Sequence, residues 1–201
     1  MLNVGVTGNV AAGKSAVVRW FERWGATVID ADQLVREAEA PCSPTLAAIA
    51  REFGPDVLQA DGALDRAALR RQVLDDPARL KALNRIVHPE VARRRGLLLE
   101  QARARGARIV VNDIPLLFEV MDPDSFDAVV LVDAPVELRH RRLVEQRGLS
   151  SSDADRLIAT QLPSATKRAR SRFVIDNDGS LAELEQRARA VWREIEGLSA
   201  E

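Results

Sequence analysis

Gly8, Asn9, Val10, Ala11, Ala12, Gly13, Lys14 and Ser15 form a run of small residues that ends in a cation and a hydroxyl. The run fits the pattern G-x-x-x-x-G-K-[ST] in full. Glycines at its two ends permit backbone angles and close approaches that a side chain would block. Successive backbone amides can then curl around an anion. Lys14 supplies a mobile cation for β- and γ-phosphates, and the Ser15 hydroxyl can ligate Mg²⁺. An apolar stretch precedes the run and an amphipathic one, from Ala16 on, follows it. The helix expected there aims the positive end of its dipole at the same spot. Residues 8–16 therefore predict a site for a nucleoside triphosphate with Mg²⁺.

Two further stretches carry carboxylates where an acceptor would sit. In an open parallel sheet, ligands lie at the carboxyl ends of the strands. The stretch VIDAD, residues 28–32, ends a short β-rich run with Asp30 and Asp32. A phosphate acceptor that is an alcohol benefits from a carboxylate that takes the hydroxyl proton and orients the oxygen. Asp32, further into the loop, is the choice for that role, with Asp30 as the alternative; either also suits capping of the helix that follows. The stretch VVNDIPLLFE, residues 110–119, places Asp113 at a strand end, where a second Mg²⁺-side carboxylate is expected. Pro115 stops that strand, and Leu116, Leu117 and Phe118 make an apolar surface beside it. His88-Pro89 reads by itself as an ordinary helix start.

Those residues must be held by an α/β framework. The 201 residues are 46% apolar and 29% charged, with a net charge of −1. That balance is ordinary for a globular chain and gives no global field for nucleic acid or a membrane surface. The single cysteine, Cys42, excludes an internal disulfide and fits a reducing cytoplasm. No apolar run approaches the ~20 residues of a membrane span, and the first apolar run leads into a loop rather than a cleavage site. Short apolar runs at 2–7, 27–29, 108–112, 128–132 and 172–175 alternate with helical patterns, which predicts a five-stranded parallel sheet. The first helix is expected over 13–24, with Val17, Trp20, Phe21 and Trp24 on its buried face. The last begins at Ser180 with a capping-box pattern to Glu183 and continues an apolar stripe through Leu184, Ala188, Val191, Trp192 and Ile195. The stretch 32–105 is too long for a simple crossover and predicts a helical subdomain. Charge is segregated: residues 66–108 hold twelve Arg or Lys against four acids, and residues 139–172 hold nine against three. Two segments thus look built to meet anions.

Taken together, these stretches resemble the dephospho-CoA kinase family. The resemblance is carried by VTGNVAAGKS (6–15), VIDAD (28–32), VHPEV (87–91), DIPLLFE (113–119), QRGLS (146–150) and QLPSATKRARSRFVIDNDGS (161–180), in the family's order and over nearly the whole chain. It implies a three-layer P-loop kinase fold as one domain, with a core of 1–31, 106–138 and 172–201. A helical CoA-binding insertion at about 32–105 and a helical lid at about 139–171 would complete it. It implies transfer of the ATP γ-phosphate to the 3′-hydroxyl of dephospho-CoA, with ATP and dephospho-CoA as partners, Mg²⁺ as cofactor, and a monomer or small homo-oligomer. Asp32 would be the base-like carboxylate. His88 and Pro115 to Glu119 (Leu116, Leu117 and Phe118 between them) would border the acceptor pocket. Arg147 would neutralise the transferring phosphoryl group alongside Lys14, with Arg142 on the nucleotide. Asn177 and Gly179 would lie near the adenine. The chain departs from the family at Asn9, Ala11 and Ala12, where Gly or Ser is common, and at Ser171-Arg172, where Ala-Asp is common.

A kinase of another small alcohol shares the fold and the loop but leaves VHPEV and DIPLLFE unexplained. A GTP-dependent switch needs an N-K-x-D base reader, which the chain lacks. A non-catalytic nucleotide binder has no use for Asp32.

Overall fold

The computed structural model describes residues 1–199. Five strands, β1 (Leu2–Gly8), β2 (Thr27–Asp30), β3 (Ile109–Asp113), β4 (Ala128–Asp133) and β5 (Phe173–Asp176), form one sheet in the order β2-β3-β1-β4-β5. β1 pairs in parallel with β3 and with β4, and β4 pairs in parallel with β5. The chain leaves the central strand toward one side of the sheet and later returns to build the other. The loop after β1 therefore sits at the topological switch point, where α/β sheets open a crevice.

The helices are α1 (Lys14–Arg23), α2 (Ala31–Ala38), α3 (Pro44–Phe53), α4 (Arg66–Val73), α5 (Pro77–Ala104), α6 (Leu117–Val120), α7 (Val136–Arg147), α8 (Ser151–Ala159), α9 (Ser164–Ala169) and α10 (Leu181–Leu198). Alternation along the strands sorts the sheet's two faces. Val4, Val6, Ile109, Val111, Val130, Val132 and Ile175 pack under α1 and α10. The expected stripes of both helices are buried, except that Trp24 is half-buried and caps the end of α1. The rings of Phe21 and Trp192 lie 5.2 Å apart, so these aromatics are core. On the other face, a methyl at Gly5 would come within 2.6 Å of Leu117 Cδ1, which fixes glycine in the middle of β1. The reciprocal Ser180–Glu183 capping box starts α10.

The described chain divides into two compact units, residues 1–29 with those from 102 onward, and Asp30–Gln101. The second is helical and has its own core of Leu46, Ile49, Phe53, Val57, Leu64, Leu69, Val73, Ala82 and Val87. One expectation fails here. His88-Pro89 does not start a helix: α5 runs through it for 28 residues with Pro89 inside. An interior proline removes a hydrogen bond and costs about 3 kcal/mol. The flanking residues offset this by packing: Val87 is buried in the helical unit's core, and Leu83, Ile86 and Val91 lie against it. Local punctuation lost to tertiary burial.

Candidate active site

The site is built around the turn from β1 into α1. Gly13 caps α1 at φ 96, and no side chain caps that helix end. The first amides of a helix have no carbonyl one turn earlier to donate to, so this end offers donors and a positive dipole to an anion. Ala11 also takes a left-handed conformation, at φ 58. Two of the loop's carbonyls are tied down. Asn177 Nδ2 donates to Ala12 O at 2.7 Å, and Asn177 N–H donates to Asp133 O at 2.7 Å. Arg142 donates to Ala11 O at 3.0 Å and to Asn177 O at 3.4 Å. With those carbonyls held by Asn177 and Arg142, the uncapped amides at the start of α1 suit a phosphate. Burial, with the like charge of Arg141, pushes the Arg142 guanidinium pKa down.

Lys14 Nζ pairs with the carboxylate of Asp113. Asp113 ends β3 directly beside β1, paired with Val6 in the sheet register. Both side chains are largely buried, at 13% and 15% exposed, so the pair is a directed contact rather than a surface one. Ser15, in the first turn of α1, is exposed. Mg²⁺ keeps several waters and binds through few protein oxygens plus substrate phosphates. One hydroxyl and one carboxylate suit that habit. Among the described residues no three His, Cys, Asp or Glu converge as a metal cage.

Of the candidate acceptor-side residues, Asp30 is the N-cap of α2, its Oδ1 accepting from Asp32 N at 2.8 Å and Gln33 N at 3.1 Å. Asp32 follows in the first turn with an exposed side chain. His88 is exposed on α5. In the 115–119 stretch, Pro115 O accepts from Thr7 Oγ1 at 3.1 Å, Leu116 is exposed, and Leu117 and Phe118 are buried. Glu119 is bound on both sides, by Lys167 Nζ at 2.7 Å and by the Leu162 N–H at 3.3 Å. Gly179 lies at the start of α10, where a methyl would strike Glu183 of the capping box.

The basic segment 139–172 resolves into separate jobs. Lys167 is fully buried on Glu119. Arg168 bridges Asp133 at 3.1 Å and Asp176 at 2.6 Å, and both carboxylates raise its pKa. Arg139 is buried and donates to Ala134 O at 3.1 Å. Arg147, the last residue of α7, is exposed. Sequence reasoning missed Asp133. It ends β4, is buried, and collects Ser164 Oγ at 3.0 Å, Arg168 and the Ala134 N–H. The same argument that singled out Asp113, a carboxylate at a strand's carboxyl end, could have found it.

A family model described as dephospho-CoA kinase matches residues 2–183. The dephospho-CoA kinase of Mycolicibacterium paratuberculosis is 46% identical over 194 residues, covering 96% of this chain and 47% of the relative. This chain thus spans about half the length of that relative. The dephospho-CoA kinase of Thermobifida fusca is 42% identical over 98% of this chain and 97% of its own length. The crystal structure of TT1252 from Thermus thermophilus superposes with a TM-score of 0.81 at 40% identity, covering 95% of this chain and 96% of that one. With a phosphate loop at the switch point and a family match over nearly all of its length, the chain belongs to the dephospho-CoA kinase family.

Proposed function

We propose that this chain transfers the γ-phosphate of ATP to the 3′-hydroxyl of the dephospho-CoA ribose, giving CoA and ADP. The observation that carries the reading is the uncapped, glycine-led start of α1 beside the Lys14–Asp113 pair, in a chain of this family. The acceptor oxygen forms a bond to the γ-phosphorus while the bond to the β–γ bridging oxygen breaks and ADP leaves. The hydroxyl proton passes to the carboxylate of Asp32. Asp30 is engaged as a helix cap, which leaves Asp32 the freer of the two. Lys14 exchanges Asp113 for the β- and γ-phosphates, and the amides of α1's first turn hold the same group. Mg²⁺, bound with ATP, would be held by Ser15 Oγ and Asp113 and supplies charge neutralisation across the β- and γ-phosphates. Arg147 is the candidate for the equatorial oxygens. His88 and the exposed Leu116 are candidates for acceptor contacts, and Arg142, Asn177 and Gly179 for the nucleotide side. A cytoplasmic setting fits the single exposed thiol of Cys42, and none of the described helices is long and apolar enough to cross a membrane.

The test is ADP release by the purified protein with ATP and Mg²⁺, with and without dephospho-CoA, and the product's mass. Acceptor-dependent ADP with a gain of one phosphate is the expected result. ADP release indifferent to dephospho-CoA would overturn the acceptor and direct the search to nucleosides.

A further inference from the structure

The loop after β1 is held from a second side, by residues that the catalytic reading does not use. Gln161 lies between α8 and α9, and its side-chain Oε1 accepts the Val10 N–H at 2.8 Å. Three residues on, Ser164 Oγ accepts from Asn9 Nδ2 at 2.8 Å and donates to Asp133 at 3.0 Å. Between them, the Leu162 N–H binds Glu119, and Lys167 binds the same carboxylate. One short stretch, 161–167, is thus stitched both to the first half of the phosphate loop and to α6, the short helix that follows β3. Only one of these stitches takes a backbone amide of the loop. The Ala12 N–H stays within the loop, on Asn9 O at 3.0 Å, whereas the Val10 N–H is taken by a side chain 151 residues away.

We propose that Gln161 is a positioning residue for the phosphate loop. It fixes Val10, and with it the path from Gly8 to Ala11, before nucleotide arrives. The stretch that carries it returns from α7 and α8, so docking of that segment and readiness of the loop for a triphosphate become one event. A loop ordered in advance binds with a smaller entropic cost. A loop released at Val10 must be ordered by the ligand. The inference rests on the kinase reading for its purpose, but its evidence is the loop and the segment alone.

Isothermal titration with MgATP, without acceptor, tests it alongside amide hydrogen exchange at Val10. Two variants are compared with the natural chain: Gln161→Met keeps length and volume but loses the accepting oxygen, whereas Gln161→Glu keeps an accepting oxygen. Loss of one neutral hydrogen bond corresponds to about a three- to tenfold change in an equilibrium. The methionine variant is therefore expected to lose protection at Val10 and to bind MgATP about three- to tenfold more weakly. The glutamate variant is expected to keep protection at Val10. Unchanged Val10 protection in the methionine variant would overturn the proposal. So would lost protection with MgATP affinity within about twofold of the natural chain, which would mark the contact as merely structural. Failure of the kinase reading shows elsewhere, as absent turnover of dephospho-CoA by the natural chain, and leaves both readouts intact.

Discussion

Replacing Gly13 by alanine tests whether the loop's shape is set by contact with Asn177. Gly13 sits at φ 96, where an L-residue is strained. The left-handed region costs such a residue about 1–2 kcal/mol. The added methyl would also overlap Asn177 Nδ2. Asn177 cannot yield freely, because that nitrogen holds Ala12 O at 2.7 Å and its backbone N–H holds Asp133 O. Displacing it leaves a buried polar pair unsatisfied, which costs about 1–3 kcal/mol more. The sum, roughly 2–5 kcal/mol, lowers the melting temperature by about 2–4 °C for each kcal/mol in a chain of this size. The assay is a double-mutant cycle by thermal unfolding with Gly13→Ala, Asn177→Ala and both. If the clash is the cause, Gly13→Ala costs only its backbone strain once the asparagine is gone, so the pair couples by about 1–3 kcal/mol. Costs that add to within about 0.5 kcal/mol would refute the reasoning and leave backbone strain as the whole effect.

Three more outcomes are expected. Asp32→Asn lowers kcat about 10²-fold or more while MgATP titration is unchanged; an unchanged kcat would shift the role to another carboxylate. Ala11→Gly relieves a residue at φ 58 at the expense of a more flexible unfolded chain, for a net gain of about 0.5–1 kcal/mol. A lower melting temperature in that variant would mean that the Ala11 methyl packs more strongly than the strain costs. Burial raises the Glu39 carboxyl pKa above 4.5, with Arg66 opposing. A raised folded pKa means that the native state binds the proton more tightly, so the associated stability is present at low pH and fades as pH rises through the folded value. Glu39→Gln should therefore change stability more favourably at pH 7 than at pH 4, read as two melting-temperature differences; the opposite order would show that the Arg66 pair outweighs burial.

Periodicity made the sheet legible. All five strands lie within a residue of the short apolar runs that marked them; β3 and β4, buried on both faces, leave the densest apolar record. The phosphate loop was legible for a different reason: glycine, lysine and serine at fixed spacing answer to backbone geometry and charge, which are local. What was not legible was tertiary. Pro89 sits inside a 28-residue helix because packing around Val87 and Val91 overrides its local preference. Leu117 and Phe118 form an apolar run whose sequence does not say that both lie inward and only Leu116 outward. Asp133 was readable as a carboxylate at a strand end and Gln161 as part of a family stretch, but their contacts were not; these exist only because β4 and the α8–α9 connection come to the loop in space.

The basic segment shows why a count of charges cannot assign function. Residues 139–172 hold nine Arg or Lys, yet each cation's partner decides what it does. Lys167 and Arg168 are engaged by Glu119, Asp133 and Asp176, and Arg139 by a backbone carbonyl. A cation already neutralised at such distances adds little field at a phosphate, since its pair is nearly a dipole to anything beyond it. Arg170 and Arg172 lie over the rings of Phe118 and Phe173, and Arg156 pairs with Asp153. Arg142 grips the loop's carbonyls. Among the described residues, Arg141 and Arg147 alone of the nine are exposed and make no ion pair, hydrogen bond or ring contact. Of these two, Arg147 ends α7 next to Gly148, which turns the chain at φ 68. An exposed cation with no partner of its own keeps its field for an anion brought near it, and that is the ground on which Arg147 is proposed for the phosphoryl oxygens.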